Sequence, residues 1–301
     1  MRRQALPLAM AVVLAAGAAP ALAQSSKQDR ARIEEITGLK GNFVEAERVF
    51  KVTSPRTDVK VSVDGWAMPP FMGLTSWVSF GQTPSAKTMI MGDLVLLPDE
   101  VNPVMSELFD AGLEVTALHN HFFYDEPKMY FMHVAGEGPL EAVAQGVRRA
   151  FDKVKAIRAA GAPAARSGAP PLPETSAVTG KTVADILGVE GQANAGMYKV
   201  VIGRKGQAAC GCDIGKEMGV NTWAAFAGAD DNALVDGDVV VHESELQGVL
   251  RALRKAGIDV VAIHHHMTGE NPRLLFLHYW GRGKLDALAR GLKSALATQT
   301  D

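Results

Sequence analysis

The sequence is poor in cysteine: of 301 residues, only Cys210 and Cys212 carry a thiol. That excludes a small disulfide-stapled scaffold. The C-x-C pair is left to close a small strained ring, stay free, bind a soft metal or serve as two small turn residues. Charge of one sign is also lacking. Lysine and arginine total 31 against 33 acids, a formal net charge of −2, so nothing electrostatic favours nucleic acid or anionic lipid as a partner. Long hydrophobic runs are missing as well. The apolar run Ala5 to Ala18 is too short and too rich in alanine to span a bilayer. No P-loop, G-x-S-x-G or dinucleotide-binding fingerprint occurs, so no standard motif names a reaction.

What that N-terminal run does fit is export. Met1-Arg2-Arg3 is a basic leader, the apolar stretch follows, and Ala21-Leu22-Ala23 satisfies the small-x-small cleavage rule. Residues 1–23 are therefore expected to be a cleaved signal peptide, with Sec export favoured over the twin-arginine route. No cysteine follows the cleavage point to carry a lipid. The mature chain is expected in the periplasm or outside the cell, without stable membrane insertion.

An internal duplication organises the remainder. A shift of 145 places Gly92-Asp93 on Gly237-Asp238, Ala111-Gly112 on Ala256-Gly257 and Pro127 on Pro272, with 22 identities across the ungapped residues 92–151. Just upstream, Met72 to Phe80 (MGLTSWVSF) matches Met218 to Phe226 (MGVNTWAAF). Between the copies, residues 156–180 are rich in Ala, Pro, Gly and Ser and lack an apolar period, as expected of a linker. This gives a repeat domain at 31–155 and another at 181–298. Each copy reads β-β-α-β-β-α. Strands are expected at Thr75–Phe80, Lys87–Leu97, Leu113–Phe122 and Lys128–Val134, with a further one in front (Val59–Val63; Met197–Ile202). One helix would be N-capped by Asp99 or Ser244 and stopped by Gly112 or Gly257; the other runs over Pro139–Lys155. The order predicts an α+β fold of two tandem repeats, each an antiparallel-rich sheet with helices on one face. Trp77, Trp223, Phe80 and Phe226 are expected in its core, with a ligand-facing lip beside the Met-Gly turn as the alternative.

Six of the eight histidines fall in two equivalent H-x-H-x11-H frames: His119, His121 and His133, then His264, His266 and His278. Side chains alternate along a strand, so the first two of each frame share a face and Asn120 or His265 takes the other. A hairpin turn centred on Glu126 would pair His119 with His133 and bring three imidazoles together. Neutral imidazoles in such a cluster suit Zn²⁺, Fe²⁺, Cu²⁺ or Ni²⁺. Glu100 and Glu245, with Asp125, Glu126 and Glu270 in the turn, are candidates for a further ligand, a ligand-orienting group or a general base. Phe122, Phe123, Tyr124, Tyr279 and Trp280 could wall a pocket. The plainer alternatives are a polar or catalytic histidine cluster without metal, and a structural role.

The frame HNHFFYDEPKMYFMHVAGEG (His119 to Gly138), its second copy and the MGLTSWVSF/MGVNTWAAF pair resemble the LppY/LpqO-like exported bacterial proteins, whose tandem domain has no known function. The resemblance covers both repeats. It implies export and a recurring signature that falls on His119, Asn120, His121, Glu126, Pro127 and His133, and on His264, His266, Pro272 and His278. His265 and Asn271 depart from it in the second copy. Two functions remain open: a metal-binding protein, extending to a metal-dependent enzyme, or a non-enzymatic binding module for an envelope ligand or partner protein.

Overall fold

The computed structural model describes residues 26–161 and 170–300. The expected signal peptide lies outside them. The first repeat runs α1 (Lys27–Thr37), β1 (Gly41–Val44), β2 (Val49–Pro55), β3 (Val61–Val63), β4 (Trp66–Met68), β5 (Thr75–Gln82), β6 (Thr88–Leu96), α2 (Pro98–Asp110), β7 (Glu114–His119), β8 (Asp125–Glu126), β9 (Tyr130–Gly138) and α3 (Leu140–Ala159). The second runs α4 (Gly180–Leu187), β10 (Gln192–Asn194), β11 (Met197–Gly203), β12 (Gly206–Gln207), β13 (Asp213–Ile214), β14 (Asn221–Ala229), β15 (Asn232–His242), α5 (Leu246–Lys255), β16 (Asp259–His264), β17 (Leu274–Gly283) and α6 (Leu285–Leu296). The repeat is thus α+β and mostly antiparallel, but richer than β-β-α-β-β-α, with a leading helix and extra short strands.

The two copies share one 12-stranded sheet, ordered β1-β2-β5-β6-β9-β7-β16-β17-β15-β14-β11-β10. One face of each strand packs against the helices: Val78, Phe80, Leu94, Leu96, Met132 and Val134 join Val104, Leu108 and Val147 in the main core. On the other face, Val95, Phe131 and Met129 lie beneath β3 in a small separate core. Val240, Leu274 and Phe276 do the same beside Ile214. This alternation follows from the strand period of two, with both faces partly covered.

The repeats meet where β7 pairs antiparallel with β16, Leu118 opposite Ile263. These positions are equivalent under the 145-residue shift, so a pseudo-twofold axis passes between them. On either side the strands diverge, and side-chain amides replace the ladder. The Asn102 amide donates to Val260 O (3.1 Å) while its oxygen accepts from Val260 N (2.8 Å). The equivalent Gln247 does the same to Val115 O (2.7 Å) and Val115 N (3.3 Å). Arg251 of α5 adds donors to Phe109 O and Leu113 O.

Several local expectations change. The N-cap of α2 is Leu97, not Asp99, and α5 is preceded by a 3-10 turn, Glu243–Glu245, capped at His242, not Ser244. Glu100 and Glu245, three residues on, accept from the cap N–H groups, so an acid within the first turn supplies the cap chemistry. Gly112 and Gly257 do take left-handed φ, 77° and 73°, just past the helix ends. β7 stops at His119 instead of reaching Phe122, and β9 starts at Tyr130 instead of Lys128. The described part of the linker is tied down: Ala177 bridges Ala229, and Asn232 donates to Pro171 O.

The amide clamps yield a test. Replacing Asn102 and Gln247 together by alanine strands four backbone polar groups in a partly buried interface, at about 1–3 kcal/mol for each unsatisfied group before water compensates. Urea denaturation should show the double variant less stable by several kcal/mol; a loss below about 1 kcal/mol would mean that the clamps do not hold the repeats together.

Candidate metal centre

The backbone ladder sets the site before any side chain is considered. In the first repeat, Trp77 lies opposite Asp93, Asp93 opposite His133 and His133 opposite Ala117. In the second, Trp223, Asp238, His278 and Ala262 form the same row. Directly opposed residues share a face, so an aspartate, a histidine and a tryptophan stand in line on the face away from the helices. The Leu118–Ile263 pairing places His119 and His264 on that same face across the pseudo-twofold axis.

The expected pairing of His119 with His133 is displaced. The ladder sets His119 opposite Phe131 and Ala117 opposite His133, after a bulge between Val115 and Ala117. No simple hairpin joins β7 to β9. Asp125–Glu126 leaves to pair with Ser62 and Val63 of β3, and the Asp125 carboxylate receives Met129 N (2.7 Å) and Lys128 Nζ (2.6 Å). Because the displacement preserves parity, the imidazoles stay on one face. His119 and His133 stack with centroids 5.1 Å apart, His119 Nε2 lies 3.2 Å from His121 Nε2, and His121 stacks on Phe131 at 3.4 Å. His121 lies beyond the strand end, so this ring packing, not strand alternation, positions it.

The second repeat repeats the arrangement and closes it. His264 stacks on His278 at 4.5 Å, His264 Nε2 is 3.3 Å from His266 Nε2, and His266 stacks on Phe276 at 3.5 Å. Here the Asp238 carboxylate joins: its Oδ2 is 3.2 Å from His266 Nε2 and 3.7 Å from His264 Nε2. Asp238, His264 and His266 bring three ligand atoms within 4.8 Å of one another, and no other such group occurs among the described residues. His278 adds no ligand atom to this triad; it stacks on His264 and contacts Gly237 O through Nδ1 (3.3 Å). His266 Nδ1 lies 3.1 Å from Gly219 O, in the Met-Gly turn that the repeat alignment singles out. A proton on Nδ1 there leaves Nε2 as the lone-pair donor toward the triad.

Electrostatics favour the neutral form of His119, His121 and His264. Burial lowers the His264 pKa, the facing Asp238 opposes that, and His278 and His266 lower it further. His119 is lowered by burial and then by His133 and His121; His121 is lowered chiefly by burial. Asp238 is 2% exposed and Asp93 8%, and each keeps one buried carboxylate oxygen, Oδ1, with no hydrogen-bond partner. A buried carboxylate oxygen without a donor is costly unless a cation or proton satisfies it.

The acids singled out in the sequence lie elsewhere. Glu100 is fully buried, with its Oε2 bonded to Arg56 (2.7 Å) and to Leu97 N (2.8 Å). Glu245 is bonded to Arg204, His242 N and Thr300. Glu126 is exposed on β8, opposite Ser62. None of the three reaches a clustered imidazole, so the first two are structural ion-pair partners. Glu270 is likewise turned inward, accepting from Leu274 N (3.0 Å). The carboxylates that do lie among the histidines, Asp93 and Asp238, show in the sequence only as identical positions of the two copies, each a charged residue inside an apolar run. Among the aromatics, Tyr279 is in the core and donates to Trp223 O, whereas Phe123 and Tyr124 are exposed beside the first cluster. Phe80 and Phe226 are buried as expected, but Trp77 and Trp223 are half-buried beneath Lys51 and Lys199 (4.2 and 4.4 Å). Cys210 and Cys212 form a disulfide at the exposed tip of the β12–β13 hairpin.

Fold and site together define a tandem α+β protein with a carboxylate–histidine cluster in each half. The chain belongs to the family described as Domain of Unknown Function (DUF1259), matched over residues 31–153 and 181–298. No curated protein matches it. One solved structure, of a trimeric bacterial microcompartment shell protein PduB, matches at 14% identity over 86% of this chain and 89% of that one; its TM-score of 0.20 supports no argument.

The Glu245 network yields a pH test. Burial pushes its carboxyl up, but the Arg204 guanidinium and the N–H groups of His242 and Thr300 outweigh burial and hold it at about 2. A carboxyl depressed on folding stabilises the protein above its unfolded value and loses that contribution as pH falls through the folded one. Stability should therefore decline between about pH 4.5 and 2, by about 1.4 kcal/mol per unit. Glu245→Gln should be about 3–5 kcal/mol less stable at pH 7 and lack this decline, as read by chemical denaturation across pH. An unchanged acid limb would show that Glu245 does not carry the effect.

Proposed function

We propose that this is a transition-metal-binding protein whose second repeat holds a divalent ion on Asp238, His264 and His266. The observation that carries the reading is the convergence of Asp238 Oδ2, His264 Nε2 and His266 Nε2, beside a second oxygen of the same carboxylate, Oδ1, that is buried and unpartnered. Two histidines and one carboxylate suit Zn²⁺, Fe²⁺, Cu²⁺ or Ni²⁺. His278 would act by stacking on His264, and Gly219 O by fixing the His266 tautomer. In the first repeat, Asp93, His119 and His121 hold the corresponding positions, with His133 stacked. Such an ion supplies Lewis acidity to a bound ligand, and the reading extends to metal-dependent chemistry on an envelope molecule.

A second reading, a binding module without catalysis, draws support from the exposed Phe71, Phe123 and Tyr124 in the first repeat (95%, 91% and 74%). Export through a signal peptide at residues 1–23, and membership of the LppY/LpqO-like group within the family, complete the proposal. No helix among the described residues is long and apolar enough to cross a membrane.

Elemental analysis of protein purified natively and without a histidine tag tests the metal reading. One tightly held equivalent is expected from the second repeat. Asp238→Asn and His266→Ala should each weaken metal affinity by at least about 100-fold, and His278→Ala by about tenfold. Absence of stoichiometric metal, together with unchanged affinity for added metal in Asp238→Asn, would end the proposal.

A further inference from the structure

Both repeats bury the same ion pair, and they close over it differently. Arg56 and Arg204 follow the last residues of β2 and β11, and each backbone N–H donates to an equivalent carbonyl, Leu74 O or Val220 O. Their guanidinium groups grip Glu100 and Glu245. The Ser76 and Thr222 hydroxyls accept from Val95 N and Val240 N. To this point the copies agree side chain by side chain.

In the second repeat the chain then covers the pair. Helix α6 ends at Leu296, and the residues beyond it fold inward. Gln299 donates to Val240 O (2.6 Å), Thr300 N and Oγ1 donate to Glu245 Oε1 (2.8 and 3.0 Å), and Thr300 O accepts from Arg204 (2.9 Å). In the first repeat α3 continues to Ala159 and carries the chain away. The polar duties pass to other groups: Arg56 Nη1 donates to Val95 O (2.7 Å), Asp58 takes two bonds from Arg56, and Arg158 meets Glu100. The volume that residues 297–300 fill in the second repeat has no such plug here. A cavity of about 300 Å³ remains.

Its chemistry is lopsided. Leu94, Leu96, Phe151 and Val154 are among its walls, and its exposed lining is chiefly apolar. Lys155 and Arg158 border it, with Asp58 the one lining acid. Arg56 and Arg158 are neutralised by Asp58, Asp99 and Glu100. Lys155 is the exposed cation at the rim, 63% exposed, and its ion pair with Asp152 Oδ1 is long, 3.6 Å, while the other oxygen of Asp152 takes Arg148. Arg158 Nε is buried without an aligned acceptor, although Glu100 Oε1 is 2.8 Å away.

We propose that this cavity is a binding site for a medium-chain fatty carboxylate, its acyl chain among Leu94, Leu96, Phe151 and Val154 and its head group at Lys155 on the rim. At roughly 30 Å³ per water-sized group, the volume accepts about ten heavy atoms, at the lower end for ligand pockets. The site belongs to the first repeat alone, because the second supplies its own plug. It is independent of the metal centre.

Isothermal titration of the mature protein with decanoate, decanol and decylamine tests this. Decanoate should bind one per chain, at least tenfold tighter than decanol, with decylamine weakest. Val154→Trp, which fills the cavity, should abolish binding while the circular dichroism spectrum is retained. Lys155→Glu, at an exposed position that folding tolerates, should weaken decanoate and narrow or invert its advantage over decylamine. No saturable decanoate binding, equal binding of all three ligands, or a Lys155→Glu protein that keeps the wild-type order would overturn the proposal. Should Val154→Trp fail to fold, the Lys155→Glu comparison decides alone.

Discussion

The contact between Leu118 and Ile263 governs the architecture. It is a single backbone pairing on a pseudo-twofold axis, too little by itself to join two domains. What makes it sufficient is the pair of amide clamps beside it. A diverging pair of strands leaves N–H and C=O groups unpaired at an edge, and edges invite misassembly. Asn102 and Gln247 satisfy Val260 and Val115 from the opposite repeat, so each α-helix closes the edge its partner leaves open. Two half-sheets thereby become one sheet of twelve strands, and both histidine clusters are committed to the same face.

That commitment explains why the site is made of strand rows. Asp238 is held on β15, His278 on β17 and His264 on β16, three adjacent strands whose spacing the backbone ladder fixes. Only His266, beyond its strand, depends on side-chain packing, and Phe276 and Gly219 O supply it. A donor set on rigid strands is held with less freedom than one on loops. The cost is a buried carboxylate oxygen that the fold leaves without a partner. Glu100 and Glu245 have donors on both carboxylate oxygens, whereas Asp93 and Asp238, facing the histidines, each keep Oδ1 without one.

The sequence disclosed the duplication, the antiparallel α+β class and the convergence of histidines, because each depends on spacing and period. His119 and His121 keep their neighbours despite a shifted register, since parity survives a displacement by a whole pair. What it concealed depended on long-range pairing. Glu100 and Glu245 looked like free acids near the histidines because their partners, Arg56 and Arg204, lie more than forty residues upstream and carry no local signal. Asp93 and Asp238 stood out only as identical positions of the two copies. Their role emerges only once β6 and β15 are paired with β9 and β17. Tyr279 and Trp280 are neighbours in sequence and opposite in fate, one in the core and one at the surface, as strand alternation requires.

The two copies have diverged in a consistent direction. In the second, the carboxylate reaches both imidazole nitrogens, the hairpin above carries a disulfide at its tip, and the chain end seals the buried ion pair. In the first, the same hairpin position carries Trp66, the adjoining loop exposes Phe123 and Tyr124, and the ion pair lies beneath an open cavity. Closing contacts accumulate in one half and exposed apolar groups in the other. Duplication supplies two equivalent frameworks, and each buried Arg–Glu pair holds its framework rigid whichever way the surface changes. The division that results is physical: closed, hydrogen-bonded contacts around the carboxylate–histidine triad in the second repeat, and exposed apolar surface in the first.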